Sequence, residues 1–169
     1  MSLPYIILSQ LETNGKMTGY DITRSFKGNA GLAWTASHQQ VYRELGKLEE
    51  DGCCYSELFL QEGKPDRKEF TISEKGKKKL DAWRDNSVPK GAYRDKISAK
   101  VLASRVTDHS KLIQLLELEV EMTNSAIDKI DGVSPFDIVD EILIDRRVAQ
   151  LTAHRDWAEA AIHKLKEEV

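Results

Sequence analysis

The stretch that most restricts how this chain can fold is Ser37–Gly52, SHQQVYRELGKLEEDG. Val41, Leu45 and Leu48 recur at i, i+4 and i+7, the spacing of one buried stripe on an α-helix. Ser37 with Gln40 three residues on makes a capping-box start, and Gly52 supplies a left-handed stop. Turning about 100° per residue from Val41 sets Gln39, Arg43, Gly46 and Lys47 on the opposite side, with Gln40 and Tyr42 on the flanks. That outer face carries long cations and amides but no acid. The acids are Glu44 and the tail Glu49, Glu50 and Asp51. Such a helix could lie against a polyanion, or be the solvated side of an ordinary amphipathic helix.

The flanks narrow the choice. Leu3–Thr13 reads as a helix with Leu3, Ile6, Ile7 and Leu11 on one side and Pro4 in its first turn, stopped by Asn14-Gly15. Thr18-Gly19-Tyr20-Asp21 is a second capping box, after which Tyr20, Ile22 and Phe26 give the next helix its buried side. Gly28–Gly31 breaks that helix, and Trp34 is expected to plug the core beneath the three helices. His38 is expected to turn partly toward that core. Beyond Gly52 the period changes. Cys53–Leu60 and Lys68–Ile72 are strand-like around a Gly- and Pro-bearing turn, which makes a hairpin with Lys64, Arg67 and Lys68 at its tip. Ser73 caps a fourth helix through Leu80 and Trp83. The order helix, helix, helix, hairpin, helix matches a winged helix-turn-helix, whose third helix suits a major groove while the ribbon reaches the adjacent phosphates.

Residues 87–94 contain Pro and Gly without a clear period and read as a linker between 1–86 and 95–169. The second part is helical throughout: Ile97–Val106, then His109–Ile130, then a helix opened by Ser134-Pro135-Phe136-Asp137. Apolar positions in the two long helices alternate steps of four and three, a seam that needs a partner. The expected interface between two copies is Ile113, Leu116, Val120, Ile127, Ile144, Val148, Leu151, Trp157, Ala158 and Ile162. Two copies would carry two reading helices to half-sites ~34 Å apart. The fold class expected is therefore mainly α with a small β-hairpin: an N-terminal winged helix-turn-helix plus a C-terminal helical dimerisation domain.

Net charge does not advertise nucleic acid. It is −3 over 169 residues, and residues 1–86 hold 13 Lys and Arg against 13 Asp and Glu. The footprint would have to be a local patch. On this reading Gln39, Gln40, Tyr42, Arg43 and Lys47 contact DNA from the helix and Lys64, Arg67 and Lys68 from the wing. Arg forks suit guanine O6/N7, and amides suit adenine N6/N7. The near-neutral front half instead favours an alternative, a protein–protein adaptor in which the winged helix is only a dock. No nucleophile, phosphate-loop or metalloprotease motif occurs, so neither an enzyme nor a cofactor or metal is expected. His38, His109, His154 and His163 are scattered, which gives no ligand set. Alternation along a strand would turn one of Cys53 and Cys54 inward and the other outward, which suits two reduced thiols. With no apolar run near the ~18 residues of a membrane span and no basic leader, a cytoplasmic location follows.

These same residues resemble the PadR family of transcriptional regulators. The likeness runs through Thr18–Ile22, Val41–Leu45, Leu48–Gly52, the wing Gly63–Ile72 and Ser73–Gly76. Ser37–Leu45 and Gln61–Lys68 are most similar to the AphA-type subgroup, whose longer helical C-terminal domain also matches what 95–169 suggest. The resemblance implies a homodimer acting on double-stranded DNA, with a winged helix at each end and helices of both chains at its centre. Some members respond to small molecules, so an effector of unidentified chemistry, set in a cavity near Tyr93, belongs to the same expectation. Cys53-Cys54 departs from the family's usual aliphatic pair, and that raises a redox role.

Overall fold

The protein is described by a computed structural model over residues 2–28, 30–60, 67–87, 95–104 and 109–167. It divides into two compact units, Met1–Pro89 and Lys90–Val169.

In the first unit, α1 (Leu3–Asn14) starts with Pro4 in its first turn and ends at Gly15, whose φ of 74° only a residue without Cβ adopts freely. The chain then forms β1 (Met17–Thr18), a strand too short for sequence periodicity to register. Next come α2 (Gly19–Ser25), the short α3 (Ala30–Ala33) and α4 (His38–Glu50). Both predicted capping boxes form, Thr18 with Asp21 and Ser37 with Gln40. At the far end of α4, Gly52 at φ 68° lets Cys53 N–H donate to Leu48 O and Gly52 N–H to Glu49 O, closing the helix as a Schellman motif.

Strands β2 (Cys54–Phe59) and β3 (Arg67–Ile72) pair antiparallel, with Cys54 opposite Ile72 and Phe59 opposite Arg67. The expected two-stranded hairpin is thus part of a three-stranded sheet in the order β1-β3-β2, with Met17 opposite Phe70. The turn at 61–66, with Lys64, lies outside the described residues. Helix α5 (Glu74–Arg84), capped by Ser73, returns to α1, where Trp83 stacks on Tyr5 at 4.8 Å and Arg84 pairs with Glu12.

The core of this unit joins Ile7, Leu8 and Leu11 of α1, Ile22, the α4 stripe, Phe70 and Leu80. Several expectations change here. Tyr20 is 64% exposed, so it is not on the buried side of α2, and Trp34 is 39% exposed, so it does not plug the core. Leu8 joins the buried face of α1, and Ile6 packs half-buried against the same cluster. Cys53 and Cys54 are both buried, because Cys53 still belongs to the helix-terminating turn and alternation starts only at Cys54.

The second unit consists of α6 (Lys96–Ala103), capped by Asp95, then α7 (Ser110–Asp131) and α8 (Ile138–Glu167). α8 folds back along α7, since Glu119 meets His154 while Glu117, nearer the start of α7, meets Lys166 nearer the end of α8. The last helix begins later than Ser134-Pro135 suggests. Asp137 is the working cap, accepting from the N–H groups of Val139 and Asp140. The linker at 88–94 and Val106 lie outside the described residues.

The four-three stripe of α8 does face inward, but its partner is α7 of the same chain. Leu116, Leu151 and Ala158, expected between copies, are already buried within the protomer. Ile113, Val120, Ile127, Ile144, Val148 and Ile162 are half-buried along the same helix pair, and Trp157 is exposed. Leu112 is buried as well.

Candidate nucleic-acid interface

Helix α4 turns Gln39, Gln40, Tyr42, Arg43 and Lys47 to the surface while Val41, Leu45 and Leu48 are sealed beneath it. The two amides are not equivalent. Gln40 Oε1 accepts from the Ser37 N–H at 2.8 Å, which commits that oxygen to the helix cap. A two-point grip on adenine needs both amide atoms, so Gln39 is the better placed of the two. Tyr42 is held on two sides. Its ring lies against Gly19, where an added Cβ would stand 2.5 Å from Cζ, and it stacks on His38 at 4.2 Å between centroids. His38 therefore lies exposed on Tyr42, rather than turned toward the core.

Each candidate cation among the described residues has an acidic neighbour. Arg43 Nε is 3.6 Å and Lys47 Nζ 3.1 Å from Glu44 Oε1. On the wing, Arg67 meets Glu69 at 2.7 Å, and Lys68 meets Glu49 at 2.9 Å while lying over the Phe70 ring. These cations remain about half exposed or more. Pairs of this kind contribute about 0–1 kcal/mol, so a phosphate can compete for them.

The Glu49–Lys68 pair also has a mechanical role, because it clips β3 to the C-terminal half of α4. Glu49 accepts from Ser56 Oγ on β2 too, so one carboxylate ties the helix to both strands. The Ser56 hydroxyl, followed by the Lys68 ammonium, holds the Glu49 carboxyl below its ordinary value. A carboxylate whose pKa is lowered by folding stabilises the protein above its unfolded value, and that contribution is lost as pH falls through the folded one. Acid titration of the thermal midpoint should therefore show wild type losing its advantage over Glu49→Gln below the ordinary glutamate value of 4.5. Parallel curves for the two proteins would show that the clip adds nothing.

Beside the start of α4 lies a hollow of about 330 Å³ lined by Tyr20, Arg24, Lys27, Ser37 and His38. Spacing at i, i+4 and i+7 places Tyr20, expected on the buried side, with Arg24 and Lys27 on one exposed face of α2 and the turn that follows it. Among the described residues no group of His, Cys, Asp or Glu is placed to hold a metal ion, and no helix is long and apolar enough to cross a membrane.

A helical core closed by a β-ribbon, with a capped, cation-bearing helix clipped to that ribbon, defines a winged helix-turn-helix unit. Residues 7–82 match the Transcriptional regulator PadR-like family. The negative transcriptional regulator PadR of Bacillus subtilis is 40% identical over 81 residues, which cover 48% of this chain and 44% of that protein. The chain spans less than half the length of the curated relatives it matches. Among solved structures, the Vibrio cholerae virulence activator AphA has a TM-score of 0.83 at 28% identity, covering 99% of this chain and 100% of that one. Bacillus subtilis PadR in complex with operator DNA has a TM-score of 0.85 at 24% identity, covering 98% and 99%. The same protein in complex with p-coumaric acid has a TM-score of 0.76 at 21% identity, covering 97% and 95%. Over residues 7–82 the chain is similar to the PadR-like family of transcriptional regulators, and its fold is that of the solved PadR and AphA structures.

Proposed function

We propose that this chain is a cytoplasmic, sequence-specific DNA-binding regulator that reads a two-fold site as a homodimer. The observation that carries the reading is the outer face of α4. It is a capped and stopped helix with Gln39, Arg43 and Lys47 outward, joined to the wing through Glu49 and Lys68. In this reading Arg43 and Gln39 address base edges, while Lys47, Arg67 and Lys68 meet phosphate, as does Lys64, which lies outside the described residues. Gln40 and Tyr42 hold the reading surface in shape and touch the backbone from the flanks. The operator-bound structure of Bacillus subtilis PadR supports the assignment by its shared fold.

The homodimer rests on the second unit. Leu118, Met122, Phe136, Ile138, Val139 and Ile142 are more than half exposed, an apolar surface that a single copy leaves wet. A second copy covers it, with Trp157 and the half-buried positions of the α7–α8 pair at its margin. An effector site fits the same unit, where a hollow of about 300 Å³ lies among Val101, Leu112, Leu116, Trp157 and Ala161. The cavity expected near Tyr93 lies outside the described residues.

Binding to DNA from upstream of the protein's own gene, followed by footprinting, tests the whole reading. Arg43→Ala should lose about 1–3 kcal/mol of discrimination at one base position and leave others unchanged. The adaptor reading draws support from the acid beside Arg43, Lys47, Arg67 and Lys68. It prevails if no upstream fragment is retained at moderate salt.

A further inference from the structure

Among the described residues Glu44 is the one buried acid, yet it belongs to the helix assigned to the groove. Turning about 100° per residue from Val41 places it on the flank between the sealed stripe and the outer face, on the side of Lys47 and Arg43. A carboxylate taken out of water needs cations or donors in return, and here both cations come from the outer face. Its Oε1 lies 3.1 Å from Lys47 Nζ and 3.6 Å from Arg43 Nε. The Lys47 and Arg43 side chains are 56% and 63% exposed against 11% for the acid, so the carboxylate is the anchored end of each pair. Glu44 meets the guanidinium at Nε, which leaves the two terminal nitrogens of Arg43 for a guanine edge.

We propose that Glu44 is a positioning residue for recognition: it sets the directions of Arg43 and Lys47 before DNA arrives, so base choice at the Arg43 position depends on an acid that touches no base. This deepens the DNA-binding reading and rests on it. Long cationic side chains have much rotamer freedom to lose, and an unbraced one gives it up on binding. An arginine held at Nε has surrendered part of it beforehand. The same carboxylate has an opposing electrostatic effect, because an acid this close to a polyanion repels phosphates whatever the sequence. Glu44 therefore lowers affinity for any duplex while sharpening the choice among them, and those two effects separate in an experiment.

The test is fluorescence anisotropy of the full chain with two labelled duplexes of equal length, one carrying the site footprinted upstream of its own gene and one of random sequence. Glu44→Gln keeps the shape and removes the charge. Its preference for the upstream site over the random duplex should fall about two- to tenfold, the cost of immobilising one rotamer-rich side chain, while affinity for the random duplex stays level or rises. Glu44→Asp keeps the charge but draws it back from both cations, and should lose preference without the rise. Glu50→Gln removes an equal charge from the exposed end of the same helix and should retain the wild-type preference. In an Arg43→Ala background Glu44→Gln should change preference far less, because an effect exerted through Arg43 cannot add to its loss. Thermal unfolding establishes which variants are folded, and Glu44→Asp carries the test alone if the glutamine variant is not. Equal gains on both duplexes in Glu44→Gln, a wild-type preference in Glu44→Asp, or an undiminished loss in the Arg43→Ala background each overturns the brace and leaves the DNA-binding reading intact. A wild-type protein that holds neither duplex, or holds both alike, overturns that reading and the brace with it.

Discussion

Leu45→Ala is expected to lower the stability of the N-terminal unit by about 2–5 kcal/mol, the range for emptying a well-packed leucine site. Leu45 is fully buried in the middle of the α4 stripe, between Val41 and Leu48. Its core is drawn from α1, α2, the sheet and α5, so several independently anchored elements would have to move together to close the space. Such a site collapses poorly, which puts the expected loss toward the upper end. Urea denaturation should show a lower midpoint with an unchanged slope. A loss below about 1 kcal/mol would show that the helices around α4 repack freely.

The second large effect runs against helix propensity. In an exposed helix, glycine to alanine usually stabilises by about 0.5–1 kcal/mol. Gly76→Ala in α5 is expected to destabilise by about 3 kcal/mol instead. A Cβ at Gly76 would stand 2.0 Å from the carbonyl oxygen of Cys53 and 2.9 Å from Ile72 Cγ1. That carbonyl is held in place, since it accepts from the Ser73 N–H at 3.0 Å while the Cys53 N–H is tied to Leu48 O. Backbone on both sides therefore has to give. Gly46 is the internal control. Nothing lies within 4 Å of the position its Cβ would take, so Gly46→Ala should show the ordinary helical gain. Thermal or urea unfolding of the two variants side by side reads the opposite signs directly.

The N-terminal unit was legible wherever the determining signal was local. Thr18 with Asp21, Ser37 with Gln40, and Gly52 act within a few residues, and all three form as their spacing predicts. The misses share a different cause. Strand β1 exists only because β3 runs alongside it, and two residues carry no period of their own. Tyr20 and Trp34 are aromatic yet exposed, and the buried cluster is built without them, from residues such as Leu8, Leu11 and Ile22. In the C-terminal helices the four-three spacing identified the face that is buried but could not say what buries it; α7 and α8 of the same chain pack on each other around Leu116, Leu151 and Ala158. Pro135 drew the start of α8 too early, because Asp137 makes a better cap than Ser134 once both of its hydrogen bonds are counted. For the proposed interface, sequence spacing identified the residues on the outer face. It could not anticipate that Glu44, Glu49 and Glu69 would reach the cations beside and across from them.

The neighbouring thiols have a consequence for how the molecule ages in an oxidising cell. Both sulfur atoms are sequestered, and burial followed by the Glu49 carboxylate pushes the Cys54 thiol up to about 11. The nucleophilic thiolate of Cys54 is therefore scarce at neutral pH, and both residues are almost wholly shielded from solvent. Damage at this pair would follow unfolding rather than trigger it, which makes the two cysteines witnesses to lost structure instead of sensors.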